Sequence, residues 1–168
     1  MENIEIQLLK SSEWQIYKTI ALEELKEDPQ SFGISYKECL AFSDEKWQER
    51  PSNKDSLIFV AKDEEKPVGL VGVNFEDNGD ERAAYIWGMY VNRKYRGMGL
   101  GKQLLNTAVE AIKKTTKVKK VKLMVEYEPT PAQMLYKSVG FQLVGTTDYK
   151  LGDGKKHKLY KMEMLLEE

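Results

Sequence analysis

Several things are nearly absent from this chain. It has one cysteine, Cys39, so it can form no intrachain disulfide. A reducing, cytoplasmic setting is the natural expectation. It has one histidine, His157, and no cysteine cluster, so neither a His-based nor a thiolate-based metal centre is expected. No apolar run approaches bilayer length, so no membrane association is expected. The opening Met1-Glu2-Asn3-Ile4-Glu5 lacks the basic and apolar regions of a signal peptide. Charge of one sign is missing too: 26 Lys+Arg against 27 Asp+Glu leave −1. Broad attraction to nucleic acid or anionic lipid is not expected.

What is present reads as one α/β domain spanning 1–168, since 168 residues with 41% hydrophobic content suffice for one core. Ile4, Ile6 and Leu8 alternate with polar residues as in a half-buried strand. Ser12-Glu13-Trp14-Gln15 has a capping-box pattern, and Trp14, Tyr17, Ala21 and Leu25 continue at helical spacing to Glu27-Asp28-Pro29. Residues 34–50 suggest one broken or two short helices anchored by Trp47, and Pro51-Ser52-Asn53 suggests a loop. Three strands follow, at Leu57–Ala61, Val68–Phe75 and Ala83–Val91. Their short turns, including Asp77-Asn78-Gly79-Asp80, predict an antiparallel meander. The pattern then alternates. Leu100, Leu104, Leu105, Ala108, Val109 and Ile112 form a helical stripe, and Val118–Val125 is a strand. Thr130-Pro131-Ala132-Gln133 opens a helix that Gly140 closes. A strand begins at Phe141, Gly152-Asp153-Gly154 turns, and Leu159–Leu165 is the last strand. The sheet is therefore mixed.

The segment richest in chemistry is Val91-Asn92-Arg93-Lys94-Tyr95-Arg96-Gly97-Met98-Gly99-Leu100-Gly101-Lys102. A strand ends, a helix begins, and between them Gly97, Gly99 and Gly101 lie among basic residues. Glycine admits close backbone approach, a helix N-terminus offers unpaired N–H groups, and arginine supplies directed donors. The combination suits a pyrophosphate. Two familiar phosphate motifs fail. A P-loop would need glycine at Arg96 and Ser or Thr at Gln103, and a dinucleotide fingerprint would need a different glycine spacing and a preceding parallel unit.

Arg96-x-x-Gly99-x-Gly101 resembles the (Arg/Gln)-x-x-Gly-x-(Gly/Ala) signature of the GCN5-related N-acetyltransferase (GNAT) family. That family also shows an approximate Asn-x-x-Ala-x-x-Leu-Tyr-x-x-x-Gly-Phe pattern, matched here by Ala132, Leu135, Tyr136, Gly140 and Phe141. The resemblance implies a mixed, mostly antiparallel sheet of about seven strands flanked by about four helices. It implies acetyl-CoA as co-substrate and transfer to a primary amine by direct attack in a ternary complex. A small molecule is the first acceptor class, and a protein or peptide N-terminus or lysine the second. It further implies that Met89, Tyr90 and Val91 pair with the pantetheine arm through their backbone. Arg96, Gly97, Met98, Gly99, Leu100, Gly101 and Lys102 would hold the diphosphate. The thioester would lie in a gap between the fourth and fifth strands near Val91 and Val125, and Tyr136 would give a proton to the leaving thiolate. One departure is Pro129, which stands where the family has Asn, leaving Thr130 to cap the helix.

The base is less specified. Glu126 is the candidate, with Glu128 and Glu81 as alternatives, and each also reads as a solvated acid. Tyr85 and Trp87 share one face of their strand, where they line an acceptor pocket or pack in the core. Phe32, Tyr36 and Trp47, with Glu38, Asp44, Glu45 and Glu49, carry the same two readings on the acceptor side. Lys113, Lys114, Lys117, Lys119, Lys120 and Lys122 form a basic cluster roughly 20 Å from Gly99 at ~1.5 Å per helical residue, more consistent with a solvated face than with a nucleic-acid site. His157 reads as an exposed turn or strand edge, and Cys39 as a small buried hydrophobe. A cofactor-binding domain without turnover is the rival functional class, and a homodimer is compatible with the sequence.

Overall fold

A computed structural model describes residues 3–77, 82–115 and 117–166. The strands are β1 (Ile4–Leu8), β2 (Ser56–Asp63), β3 (Lys66–Asp77), β4 (Arg82–Val91), β5 (Val118–Glu126), β6 (Gln142–Lys150) and β7 (Lys156–Leu165). The helices are α1 (Trp14–Glu27), α2 (Tyr36–Leu40), α3 (Asp44–Ser52), α4 (Leu100–Lys113) and α5 (Pro131–Val139). All seven strands form one sheet in the order β1-β2-β3-β4-β5-β7-β6. Every neighbouring pair is antiparallel except β4 and β5, which α4 connects as a parallel crossover. The expected mixed, mostly antiparallel sheet is what forms. The segment after α1 resolves into two helices, α2 and α3.

Helix α4 follows its sequence pattern: all six stripe residues are buried against the sheet. Burial of such aliphatic side chains is worth roughly 1.5–3 kcal/mol each. On that face they meet Ala84, Ile86, Val121 and Leu123, while α5 adds Tyr136. The opposite face of β2–β4 is covered by α1 to α3, with Ile20, Leu25, Trp47, Val60, Leu70 and Tyr90 at its centre.

Several local readings are corrected. Ser12 caps nothing: Ser11–Glu13 is a 3-10 turn, and the box is closed by the Glu13 carboxylate accepting from Lys10 N–H at 2.9 Å. Pro51 and Ser52 belong to the last turn of α3. The final strand starts at Lys156, so half-buried His157 lies within it, 2.8 Å from Asp153. The Asn78-Gly79-Asp80 turn and Glu81 lie outside the described residues. The lysine run is divided by pairing: Lys113 with Glu110, Lys120 with Glu163 and Lys122 with Glu76.

Two features of β4 position the site. Its pairing with β5 runs only from Arg82↔Val118 to Tyr85↔Lys122, although β4 continues to Val91 and β5 to Glu126. The strands diverge beyond Tyr85, leaving six residues of β4 edge, about 20 Å at ~3.3 Å per residue, without a strand partner on that side. Second, β4 carries a bulge. Leu70 pairs with Tyr90 and Gly72 with Trp87, so Gly88 and Met89 together oppose Val71. Gly88 supplies the positive φ of 59° this needs.

Candidate active site

The glycine loop sits where β4 ends. Asn92 accepts from the Lys94 N–H at 3.0 Å and shapes a 3-10 turn over Arg93–Tyr95. The Tyr95 hydroxyl donates to Asp63 at 2.6 Å, fastening the turn to β2. Gly97 and Gly99 then adopt φ of 75° and 82°. A Cβ built on either would meet nothing within 4 Å, so both open onto free space. Gly101 serves a different purpose, since a Cβ there would reach Leu135, Met89 and Val91 at 3.4–3.8 Å. It lets α4 start close against β4 and α5. The N-cap of α4 is Gly99, which has no capping side chain, and the first turn contains no acid. Its leading N–H groups are thus available to an anion. The loop that the sequence suggested as a diphosphate cradle is open at Gly97 and Gly99. Leu100 contributes only backbone, its side chain being in the core, while Met98 and Lys102 are exposed.

Arg96 is directed elsewhere. Its Nε donates to the Val91 carbonyl at 2.7 Å and its Nη2 to Asp28 at 2.6 Å. Met89 and Val91 pack toward α4, while Tyr90 packs toward α1. The Tyr90 hydroxyl donates to Glu27 at 2.7 Å and Glu23 at 3.0 Å. Burial, then these two bonds, hold its phenol far above the usual range.

Tyr136 projects from α5 with its ring edge-on to Phe141. It is 6% exposed, and no hydrogen bond engages its hydroxyl among the described residues. Burial, with a further push from Tyr85, holds the phenol well above its ordinary value, so it stays a proton carrier near neutrality. Tyr85 lies on the opposite face of the sheet, at the point where β4 and β5 part. Its phenol is pushed up to about 12, by burial first and then by Tyr149 and Glu76.

Beside it, the Trp87 indole lies over Gly72, where any Cβ would collide with the ring. The indole N–H donates to Asn74 at 3.0 Å, and the Arg50 guanidinium covers the ring at 4.5 Å. These residues lie on the α1–α3 side of the sheet. Trp47 is core, 3% exposed. Glu24 is buried against this region, and burial pushes its carboxyl well above the usual range despite Arg50.

Glu126 is half-buried at the end of β5, and its neighbour Glu128 is exposed. Alternation along β5 directs Glu126 to the Tyr85 face, away from Val121 and Leu123. The loop after it is organised by Gln133, whose role the sequence did not reveal. Thr130 caps α5 as expected, accepting from Gln133 N–H at 3.3 Å. The Gln133 side chain, however, does not complete a capping box. It donates back to the carbonyls of Glu126, Tyr127 and Glu128 at 2.6, 3.2 and 2.8 Å.

A second unforeseen contact lies near Tyr85, whose phenol Tyr149 helps to push up. Gly152 N–H donates to the Phe32 carbonyl at 2.5 Å, and the Tyr149 ring lies against Gly33. The β6–β7 turn is thereby joined to the segment between α1 and α2. Gly152 is required, because a Cβ would strike the Ile34 carbonyl.

A strand pair that separates beside an open, glycine-lined helix N-terminus is the arrangement its sequence motif implied. The family model described as Acetyltransferase (GNAT) family matches residues 18–141. The chain belongs to the GNAT acetyltransferase family. It is 25% identical over 122 residues to the L-amino acid N-acetyltransferase AaaT of Escherichia coli (strain K12), covering 71% of this chain and 75% of that protein. The fold superposes on ribosomal-protein-S5-alanine acetyltransferase from Vibrio fischeri with a TM-score of 0.81 at 15% identity, covering 98% and 94% of the two chains. It also superposes on spermidine N-acetyltransferase from Vibrio cholerae in complex with CoA and spermine, with a TM-score of 0.73 at 18% identity, covering 98% and 96%.

Proposed function

We propose that this GNAT acetyltransferase moves an acetyl group from acetyl-CoA to the primary amine of a small molecule by direct transfer in a ternary complex. The observation that carries the reading is the unpaired β4 edge running into the open Gly97–Gly99 loop, with Tyr136 buried in the core cluster that Met89 and Val91 also join. Acetyl-CoA supplies an activated acetyl thioester. Backbone N–H groups from Gly97 to Gly101 and the first turn of α4 hold its diphosphate, with Lys102 at the rim. The free edge from Met89 to Val91 binds the extended pantetheine arm as an added strand would. Tyr136, kept protonated by burial, delivers its proton to the sulfur leaving group and regains one from solvent. Glu126, directly or through water, takes the proton that the attacking ammonium must lose. Cys39 is buried away from this opening, and direct transfer needs no thiol nucleophile.

The Gly152–Phe32 bridge favours a slender acceptor over a loop of a folded protein. A free amine fits this best, and an extended peptide N-terminus is the second reading. The test is CoA-thiol release from acetyl-CoA with amino acids, polyamines, aminoglycosides and short peptides. Turnover confined to peptides would overturn the small-molecule assignment. Tight acetyl-CoA binding with no release from any acceptor would favour a regulatory domain instead.

A further inference from the structure

The diphosphate loop is shaped from outside by the last turn of α1, some 65 residues earlier in the chain. Arg93 donates to the Glu27 carbonyl at 2.8 Å, and its guanidinium lies 3.4 Å from Asp28 Oδ1. Arg96 takes the other oxygen, Oδ2, at 2.6 Å. The Asn92 side chain donates to Glu23. The Asp28 carboxylate therefore holds both Arg93, which opens the 3-10 turn, and Arg96, which closes it, while Glu27 Oε2 stands farther off, at 3.9 Å from each. Asp28 is itself well fixed. It is the C-cap of α1, its N–H donating to the Glu24 carbonyl at 2.9 Å, and Pro29 follows. Its side chain is 22% exposed, while Arg96 is 43% and Arg93 62% exposed, so geometry and not shielding defines these contacts. Arg96 has two further anchors, the Val91 carbonyl at 2.7 Å and the Tyr90 ring at 5.8 Å.

We propose that Asp28 is a positioning residue for the coenzyme. By holding Arg93 and Arg96 back along α1, it fixes the path of residues 92–96 and aims the Gly97–Gly101 amides at one point. The idea rests on the acetyl-CoA reading above. The opposing arrangement would have Asp28 compete with the diphosphate for the arginines, and its removal would then tighten binding. The anchors on Arg96 favour positioning, because three separate contacts hold that side chain away from the glycines.

Asp28→Ala and Asp28→Asn separate the two. Acetyl-CoA affinity is measured by calorimetry, and amide hydrogen exchange is followed across residues 97–101 without ligand. Because the loop would then have to be ordered at the expense of binding, Asp28→Ala should bind acetyl-CoA several-fold to roughly tenfold more weakly, with the kinetic loss in KM for acetyl-CoA and not in kcat. Exchange of the free loop should quicken. The double variant Asp28→Ala/Arg96→Ala should bind no worse than Arg96→Ala alone, because the two act as one unit. Global misfolding would instead slow no single step, lowering active fraction and cooperative melting together, and Asp28→Asn, which keeps the side chain's volume, should melt cooperatively while still binding more weakly. Equal or tighter binding by both variants, with wild-type exchange, overturns the proposal. Failure of the wild-type protein to bind acetyl-CoA would overturn the functional reading itself.

Discussion

Replacing Gly99 by alanine sets the cradle against the fold. At φ of 82° an L-residue carries a left-handed penalty of about 1–2 kcal/mol. No packing cost adds to it, since the new Cβ meets nothing within 4 Å. For a chain of this size each kcal/mol moves Tm by roughly 2–4 °C, so the variant should melt a few degrees early but cooperatively. Its effect on ligand should be larger. The methyl group enters the space left for the diphosphate, so at least one charge-assisted N–H contact is lost. At roughly 1.5–3 kcal/mol for a hydrogen bond to a charged group, acetyl-CoA should bind about 10–100-fold more weakly. Gly72→Ala is the control. Its Cβ would collide with the Trp87 ring, so it should lower Tm at least as much while leaving acetyl-CoA affinity within about twofold. Calorimetric titration with paired melting curves reads both. If Gly99→Ala binds acetyl-CoA like the wild type, or if Gly72→Ala weakens it equally, the loop is not the diphosphate site.

Tyr136→Phe should lower kcat about 10–100-fold with little change in acetyl-CoA affinity. Because burial raises that phenol, no fall in wild-type kcat from its ionisation should appear between pH 6 and 9 in a stopped-assay pH profile; a variant as active as wild type removes Tyr136 from the chemistry. Glu24→Gln should stabilise the protein at pH 8 but scarcely at pH 4. The folded carboxyl titrates above its unfolded value of about 4.3, so the wild type loses stability as pH rises past that point and the amide does not; melting shifts equal at both pH values would contradict this. Gly152→Val should break the bridge to Phe32 and raise KM for the acceptor while sparing acetyl-CoA affinity, and a rise in both constants would mean that the bridge does not bound the acceptor site.

Much of the framework was legible because local chemistry dictated it. The α4 stripe needs one buried face, and its six apolar positions leave one choice. Gly140 adopts φ of 113° as the C-cap of α5, as its position foretold. The glycine loop was legible for the same reason, since Gly97 and Gly99 take positive φ that other residues rarely adopt. What escaped notice depends on residues distant in sequence or on side chains with several options. Arg96 reads as a phosphate ligand until α1 places Asp28 beside it. Gln133 reads as a capping partner, but three carbonyls of the preceding loop offer it more bonds. Gly152 looks like an ordinary turn residue until two remote segments are seen to touch. The Gly88 bulge is invisible to an alternation rule, which takes an apolar strand to be uniform.

That bulge has an effect beyond its own turn. It works as a phase slip in the pleat: Ala84 and Ile86 face α4 before it, Met89 and Val91 after it, so the inward-pointing parity switches from even to odd. One strand therefore sets the Trp87 ring toward α1 in its middle and Met89 and Val91 toward α4 at its end. Deleting one of the two bulged residues would straighten the pleat and leave Tyr90 opposite Leu70 on the α1 side, whereas pairing all of the residues without the bulge would turn Tyr90 toward α4.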